Sequence, residues 1–213
     1  MQIQRTANAG VRLTLDGADI LLDGLCQELT PYLGTPASIA EEIFKNPPDL
    51  LAFTHGHSDH FGESLVSKYR KQNLRPILGP ESLPCDAIPG SVKIGSVTVT
   101  PIATRHLGMN DVTHRSYLIE GSKRVLFTGD AAPLQFKGRE EVGHIDLLIA
   151  PYAYANTISS WKMSCAMADA TVLLHLPDRD SDVHDLWLQV KTVAGGAIGT
   201  RLFIPEVGDI LTF

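Results

Sequence analysis

The residues best suited to chemistry lie in one stretch, Thr54-His55-Gly56-His57-Ser58-Asp59-His60. Three imidazoles and one carboxylate fall within six positions, directly after the apolar run Leu50-Leu51-Ala52-Phe53. Neutral imidazole nitrogen and carboxylate oxygen are the usual protein ligands of zinc and its first-row neighbours. In an extended segment alternate side chains point the same way, so His55 and His57 can share one ion. Asp59 and His60 follow at a turn and can face a second point a few ångströms away. One loop can therefore begin two adjacent metal sites. An ordinary solvated loop gives no reason for imidazole to be concentrated at this spacing.

Short strands must position these residues. Residues 2–5, 11–15 and 19–22 predict an antiparallel meander, with turns at Asn8-Ala9-Gly10 and Asp16-Gly17. Residues 25–36 carry no periodic signal and, with Tyr32, are a candidate lid. Thr35-Pro36 opens a short helix that Pro47-Pro48 stops. The strand 50–53 runs into the histidine loop, and a helix over 63–72 and a strand over 75–78 follow. Residues 92–94 pair with 97–103 as a hairpin. After a loop containing His114, residues 116–120 and 123–127 form a second hairpin. A strand over 146–150, the loop 151–156, a helix over 160–169 and a strand over 171–174 come next. An amphipathic helix over 182–194 places Val183, Leu186, Trp187, Val190 and Val193 on one face, and strands 202–204 and 210–212 close the chain. With no repeat or linker in view, residues 1–213 read as one domain.

Several of these apolar runs end in a group able to bind metal or orient a ligand. Ile20-Leu21-Leu22 ends in Asp23, and the run 50–53 reaches His55 after Thr54. Val125-Leu126-Phe127 reaches Asp130 after Thr128-Gly129, Val172-Leu173-Leu174 ends in His175, and the long strand from Val97 ends at His106. Continuous apolar runs of this length mark strands covered on both faces. In sheets flanked by helices, sites form at the carboxyl ends of strands, so these five ends predict convergence on one rim.

Composition narrows the class. A chain of 213 residues, 44% hydrophobic and 20% charged, suffices for one domain with a substantial core. A net charge of −6 without any basic block gives no electrostatic footprint for nucleic acid or an anionic membrane. No apolar run approaches the about 20 residues that cross a bilayer, and Met1 to Arg5 lacks the apolar core of a signal peptide. Cys26, Cys85 and Cys165 are scattered, as suits reduced thiols in the cytoplasm. The expected partner is a small-molecule substrate, and homo-oligomerisation stays open.

Taken together, His55-Gly56-His57-Ser58-Asp59-His60, the later His106, the Thr128-Gly129-Asp130 turn and the terminal His175 resemble the metallo-β-lactamase superfamily. The resemblance covers nearly the whole chain. It is nearest to the small metal-dependent hydrolase branch that includes an ascorbate-phosphate lactonase. It implies a four-layer αββα sandwich, two mixed β-sheets with helices on the outer faces and a dinuclear site at one edge. It also implies His55, His57 and His106 on a first metal, Asp59, His60 and His175 on a second, and Asp130 between them. Asp23 matches the family's early aspartate, which orients a ligand histidine. His114 competes with His106 for the first site. His106 is preferred because it sits at a strand end, which leaves His114 to substrate, to support of the ligands or to the loop. Asp130 stands where some antibiotic-destroying members carry cysteine, which points away from antibiotic hydrolysis.

The implied chemistry is hydrolysis of a small, anionic ester, lactone or phosphodiester by a metal-bound hydroxide. Two divalent ions bring four positive charges against the two negative ones of Asp59 and Asp130, so the pocket should attract anions. Zinc is the expected ion, with manganese(II) or iron(II) as alternatives. A water between the ions would have a pKa near ~7. Asp59 would orient it and carry a proton to the leaving group, and Tyr152 is a candidate donor to the developing oxyanion. Two other readings are a mononuclear iron oxygenase of the persulfide dioxygenase type and a non-catalytic binding module on the same fold.

Overall fold

The computed structural model describes residues 1–86, 90–109 and 111–213. The chain opens with the expected meander of β1 (Gln2–Arg5), β2 (Val11–Leu15) and β3 (Ala18–Leu22), each antiparallel to the last. Strands β4 (Leu50–Ala52) and β5 (Ile77–Leu78) then add in parallel beyond β3. Parallel neighbours need a crossover. Helix α1 (Ala37–Lys45) provides it between β3 and β4, and α2 (Glu63–Gln72) between β4 and β5.

The second sheet begins with antiparallel hairpins of β6 (Val92–Ile94), β7 (Val97–Arg105), β8 (Thr113–Glu120) and β9 (Arg124–Phe127). It continues in parallel through β10 (Ile145–Pro151), β11 (Ala168–Leu174) and β12 (Leu202–Phe203). Helices α3 (Ile158–Met167) and α4 (Leu186–Ala194) make the crossovers on either side of β11. The last strand, β13 (Ile210–Thr212), returns to pair with β1, giving sheets of six and seven strands.

Alternation along each strand sets the layers. Leu50 and Ala52 of β4 face the other sheet, where they meet Tyr117, Phe127, Ile149 and Val172. Leu51 and Phe53 point outward beneath Ala40, Ile43, Val66 and Tyr69 of α1 and α2. In β11, Val172 and Leu174 point inward, while Leu173 lies beneath Trp187 and Val190 of α4. Strands β4 and β11 are thus covered on both sides, which is why each reads as an unbroken apolar run. The expected αββα sandwich is the architecture found. One polar bond ties the sheets together inside it: the buried Tyr117 hydroxyl donates to the Phe53 carbonyl at 2.7 Å, just before the histidine loop.

Several boundaries differ from the sequence expectation, and three of them have a clear physical reason. The helix expected over 160–169 starts earlier, capped by Thr157, and gives way at Ala168 because Ala168 takes its place opposite Ile145 in the parallel ladder. The helix expected from Asp182 begins at Leu186. The Asp182 carboxylate reaches forward to cap the N–H groups of Leu186 and Trp187, and Val183 is 83% exposed rather than part of the buried face. His114 lies within β8, not in a loop before it. Because β8 runs antiparallel to β7 and β9, it enters the sheet at the rim where those strands end.

Candidate metal centre

Five strand ends meet at that rim. Asp23 follows β3 in a left-handed conformation (φ 48°), and its N–H is held by the Ala52 carbonyl at 2.9 Å. His175 follows β11 in the same conformation (φ 62°), tied to the Asn8 carbonyl at 3.1 Å. Left-handed backbone at residues other than glycine costs about 1–2 kcal/mol, and it persists where surrounding structure fixes it, often at functional sites.

The buried Asp23 carboxylate sets the tautomers of the histidine loop. It accepts the Thr54 N–H at 2.8 Å and the Thr54 hydroxyl at 2.7 Å, and it lies 2.8 Å from His60 Nδ1. His60 therefore carries its proton on Nδ1. The Thr54 hydroxyl, donating to Asp23, accepts from His55 Nδ1 at 3.0 Å. His106 donates from Nδ1 to the Leu107 carbonyl at 2.7 Å. In their neutral form all three rings thus present an unprotonated Nε2. Those of His60 and His106, together with His175 Nε2 and Asp130 Oδ1, are buried without a hydrogen-bond partner. Buried polar atoms left unmatched in this way point to an ion as their missing partner.

The spacing of these atoms tests that fit. Ligand atoms on tetrahedral zinc, with bonds of about 2.0–2.1 Å, stand about 3.3 Å apart. Asp130 Oδ2 lies 3.4 Å from His106 Nε2, 3.5 Å from His60 Nε2 and 3.5 Å from His175 Nε2. His55 Nε2 lies 3.0 Å from His57 Nδ1, and Asp59 Oδ2 lies 3.1 Å from His175 Nε2. Three groupings could each hold an ion: His55, His57 and His106; Asp59, His60 and His175; and, between them, His55, His60 and Asp130. The residues present fit divalent metal, and all seven expected positions lie in this cluster.

For His114 the sequence leaves substrate, support of the ligands or the loop as roles, and both its nitrogens are engaged within the protein. Nδ1 lies 2.7 Å from the Thr104 hydroxyl, and Nε2 accepts the Asp130 N–H at 3.0 Å. Burial pushes its pKa down to about 3, which keeps Nε2 unprotonated as that acceptor requires. This arrangement fits support of Asp130 among the roles left open for His114.

Electrostatics act in both directions: burial opposes charge on His60 and His106, but the Asp130 carboxylate outweighs it and raises both imidazoles. Burial lowers His55 well below the ordinary imidazole range. For Asp130, burial opposes the charge, but the His175 and His60 rings outweigh it and hold the carboxyl well below its usual value. Asp59 is lowered despite burial by its contact with His175.

Of the remaining expectations, Tyr152 lies half-buried on a single-turn helix, Tyr152–Tyr154, directly after β10. Burial raises its phenol, and the charge of Asp130 adds to the shift. The segment 25–36 is fastened rather than free. Gln27 N–H reaches the Ser58 carbonyl at 2.7 Å, Asn8 N–H the Leu33 carbonyl at 2.9 Å, and Asp178 N–H the Pro31 carbonyl at 3.1 Å. It is a strap that lays Tyr32 edge-on against His175, with ring centroids 4.4 Å apart. Sequence reasoning gave no role to Thr54 or Thr104. Their one available signal was a hydroxyl placed in an otherwise apolar or alternating strand context.

Comparison with known proteins agrees with this geometry. Residues 2–178 match the β-lactamase superfamily domain family. A UPF0173 protein of Pyrococcus abyssi is 28% identical over 174 residues, covering 75% of this chain and 73% of that protein. A UPF0173 metal-dependent hydrolase of Methanopyrus kandleri is 25% identical over 116 residues, covering 50% of this chain and 47% of that one. Among solved structures, a possible metal-dependent hydrolase of Veillonella parvula superposes with a TM-score of 0.73 at 14% identity, over 100% of this chain and 99% of the other. With the family match spanning most of its length, the chain belongs to the β-lactamase superfamily domain family.

Proposed function

We propose that the chain is a metal-dependent hydrolase acting on a small anionic ester, lactone or phosphodiester. The observation that carries this reading is Asp130 Oδ2 standing 3.4–3.5 Å from three separate imidazole nitrogens, the spacing of atoms that could share a metal ion. In this reading His55, His57 and His106 would hold one divalent cation and Asp59, His60 and His175 a second, with Asp130 within reach of both groups. Zinc suits the nitrogen-rich ligand set best, with manganese and iron as the alternatives.

Bound there, such ions supply positive charge for an anionic substrate, polarise its scissile oxygen and acidify a water. The protein's own part is positioning and proton handling. Asp23 and Thr54 hold His55 and His60 by their Nδ1 protons, so that both rings present Nε2. His114 holds the backbone of Asp130. Asp59, 3% exposed and 3.1 Å from His175, is the carboxylate placed to orient the water and to carry its proton toward the leaving group. Tyr152 is the proposed donor to the developing oxyanion. Burial and the neighbouring carboxylate keep its phenol protonated, as a donor must be. No helix among the described residues is long and apolar enough to cross a membrane. The free cysteines Cys26, Cys85 and Cys165 suit a reducing compartment, and we place the protein in the cytoplasm on that ground.

The test is a panel of phosphodiesters, phosphomonoesters, thioesters and lactones offered to metal-loaded protein, with metal content measured in parallel. Hydrolysis of an anionic member that disappears in His57→Ala and in Asp59→Asn is the expected result. Iron as the bound metal, with oxygen uptake and no hydrolysis, would replace this reading with the oxygenase one. Hydrolysis unaltered by His57→Ala would leave a binding module.

A further inference from the structure

A second cavity, of about 560 Å³, opens between the edge of the first sheet and the second sheet. None of its described lining residues belongs to the histidine–aspartate cluster. Its walls are apolar: Leu78, Leu83, Cys85, Pro101 and the ring of Tyr117. Burial pushes the Cys85 thiol up to about 12, so that wall carries no charge. The volume falls within the range of about 300–1,000 Å³ usual for small-molecule sites.

One cation serves this cleft. Arg115 projects from β8 on the same face as Tyr117, two residues away. Its Nη2 pairs with the carboxylate of Glu81, a residue on the segment roofing the cleft. Its Nε is buried and has no partner. The side chain of Glu81 is 75% exposed, that of Arg115 only 25%. A pair with one partner so exposed is weak, screened by solvent, so another carboxylate can displace it. Guanidinium prefers to be gripped by two parallel N–H bonds at once, and Glu81 uses Nη2 alone while Nε goes unmatched. The other nearby acid, Asp86, is already engaged by the Ile77 N–H and by Arg70. The cleft thus offers an apolar body site with an incompletely used carboxylate receptor at one end.

We propose that this cleft binds a small amphiphilic carboxylate, its hydrocarbon body along Leu83 and Pro101, and its carboxylate forked onto Nε and Nη2 of Arg115 in place of Glu81. Carboxylate is preferred over phosphate because a carboxylate, that of Glu81, already occupies half of the receptor. The site goes beyond the hydrolytic reading and does not depend on it.

Octanoate is a direct probe, titrated by calorimetry into metal-loaded wild type, Arg115→Gln and Glu81→Gln, with octanol and octyl phosphate for comparison. Anion binding at the metal centre adds the same background to all three proteins, since neither side chain offers it a ligand atom. Glu81→Gln removes the internal competitor and should tighten octanoate about three- to fivefold. Arg115→Gln removes the receptor and should weaken it about tenfold. Octanol should not distinguish the three proteins. Opposite shifts in the two variants cannot come from a general loss of fold. Equal octanoate affinity in all three proteins would overturn the site, and octyl phosphate binding more tightly than octanoate with the same dependence on Arg115 would overturn the carboxylate assignment.

Discussion

His114 Nε2 accepts the backbone N–H of Asp130 at 3.0 Å, so a buried imidazole holds the carboxylate that stands among three others. The two histidines that follow the main loop, His106 and His114, therefore have different jobs. His106 directs Nε2 at Asp130 Oδ2, and His114 fixes where Asp130 begins. In His106→Ala, measured metal content should fall by at least part of one equivalent per chain. In His114→Ala both ions should remain at saturating metal, with affinity weaker by about 10- to 100-fold, as is usual when a supporting group is lost. The reverse pattern in metal analysis would exchange their roles.

Asp23 is fully buried and accepts from Thr54 twice and from His60 once. Removing it in Asp23→Ala strands a backbone N–H, a hydroxyl and an imidazole N–H together. Each buried donor left without its acceptor costs about 1–3 kcal/mol. The variant should lose stability of that order in denaturant unfolding, and it should also bind metal more weakly because His60 is no longer held. Stability equal to wild type would show that the Asp23 carboxylate is not what anchors the loop.

Two glycines with left-handed backbone give a matched comparison. A Cβ at Gly129 (φ 50°) would stand 2.5–2.7 Å from the Thr54 side chain, whereas one at Gly138 (φ 77°) meets nothing within 4 Å. Alanine at either position carries the backbone cost of about 1–2 kcal/mol. At Gly129 the collision adds about 1–3 kcal/mol of overpacking and pushes on the threonine that orients His55. Gly129→Ala should therefore be the less stable of the two in thermal unfolding and the one with reduced metal content. Equal behaviour would contradict the close approach.

Tyr117→Phe deletes a buried hydroxyl that bridges the sheets and leaves the Phe53 carbonyl unmatched in the core. A loss of about 1–3 kcal/mol is expected, read from the midpoint of urea unfolding. Metal stoichiometry should be unchanged, because Tyr117 holds the strand and not a ligand. Loss of metal in this variant would show that the strand exit is less rigid than the packing implies.

Much of this organisation was legible in the residues. Leu50 to Phe53 followed by the histidine loop, and the apolar runs ending at Asp23, Asp130 and His175, announce buried strands whose ends converge. That pattern survives because each strand is covered twice, so hydrophobicity records its direction and its end. The role of His114 was not legible. It depends on β8 entering the sheet antiparallel at the same rim, a matter of register that local sequence does not encode. The helix over 182–194 was overextended for a similar reason. Asp182 caps it from a distance, and Val183 fits a helical period that the chain does not adopt there. The strap at 25–36 has no periodic signal because hydrogen bonds to distant partners, at Asn8, Ser58 and Asp178, hold it in place.

The most direct measurement is an anomalous-scattering map of crystals of the purified protein, backed by elemental analysis of the same sample. Two peaks about 3.5–4 Å apart are expected, one among His55, His57 and His106, the other among Asp59, His60 and His175, with Asp130 reaching both. A single peak, or metal bound anywhere but among these seven side chains, would contradict the dinuclear hydrolase.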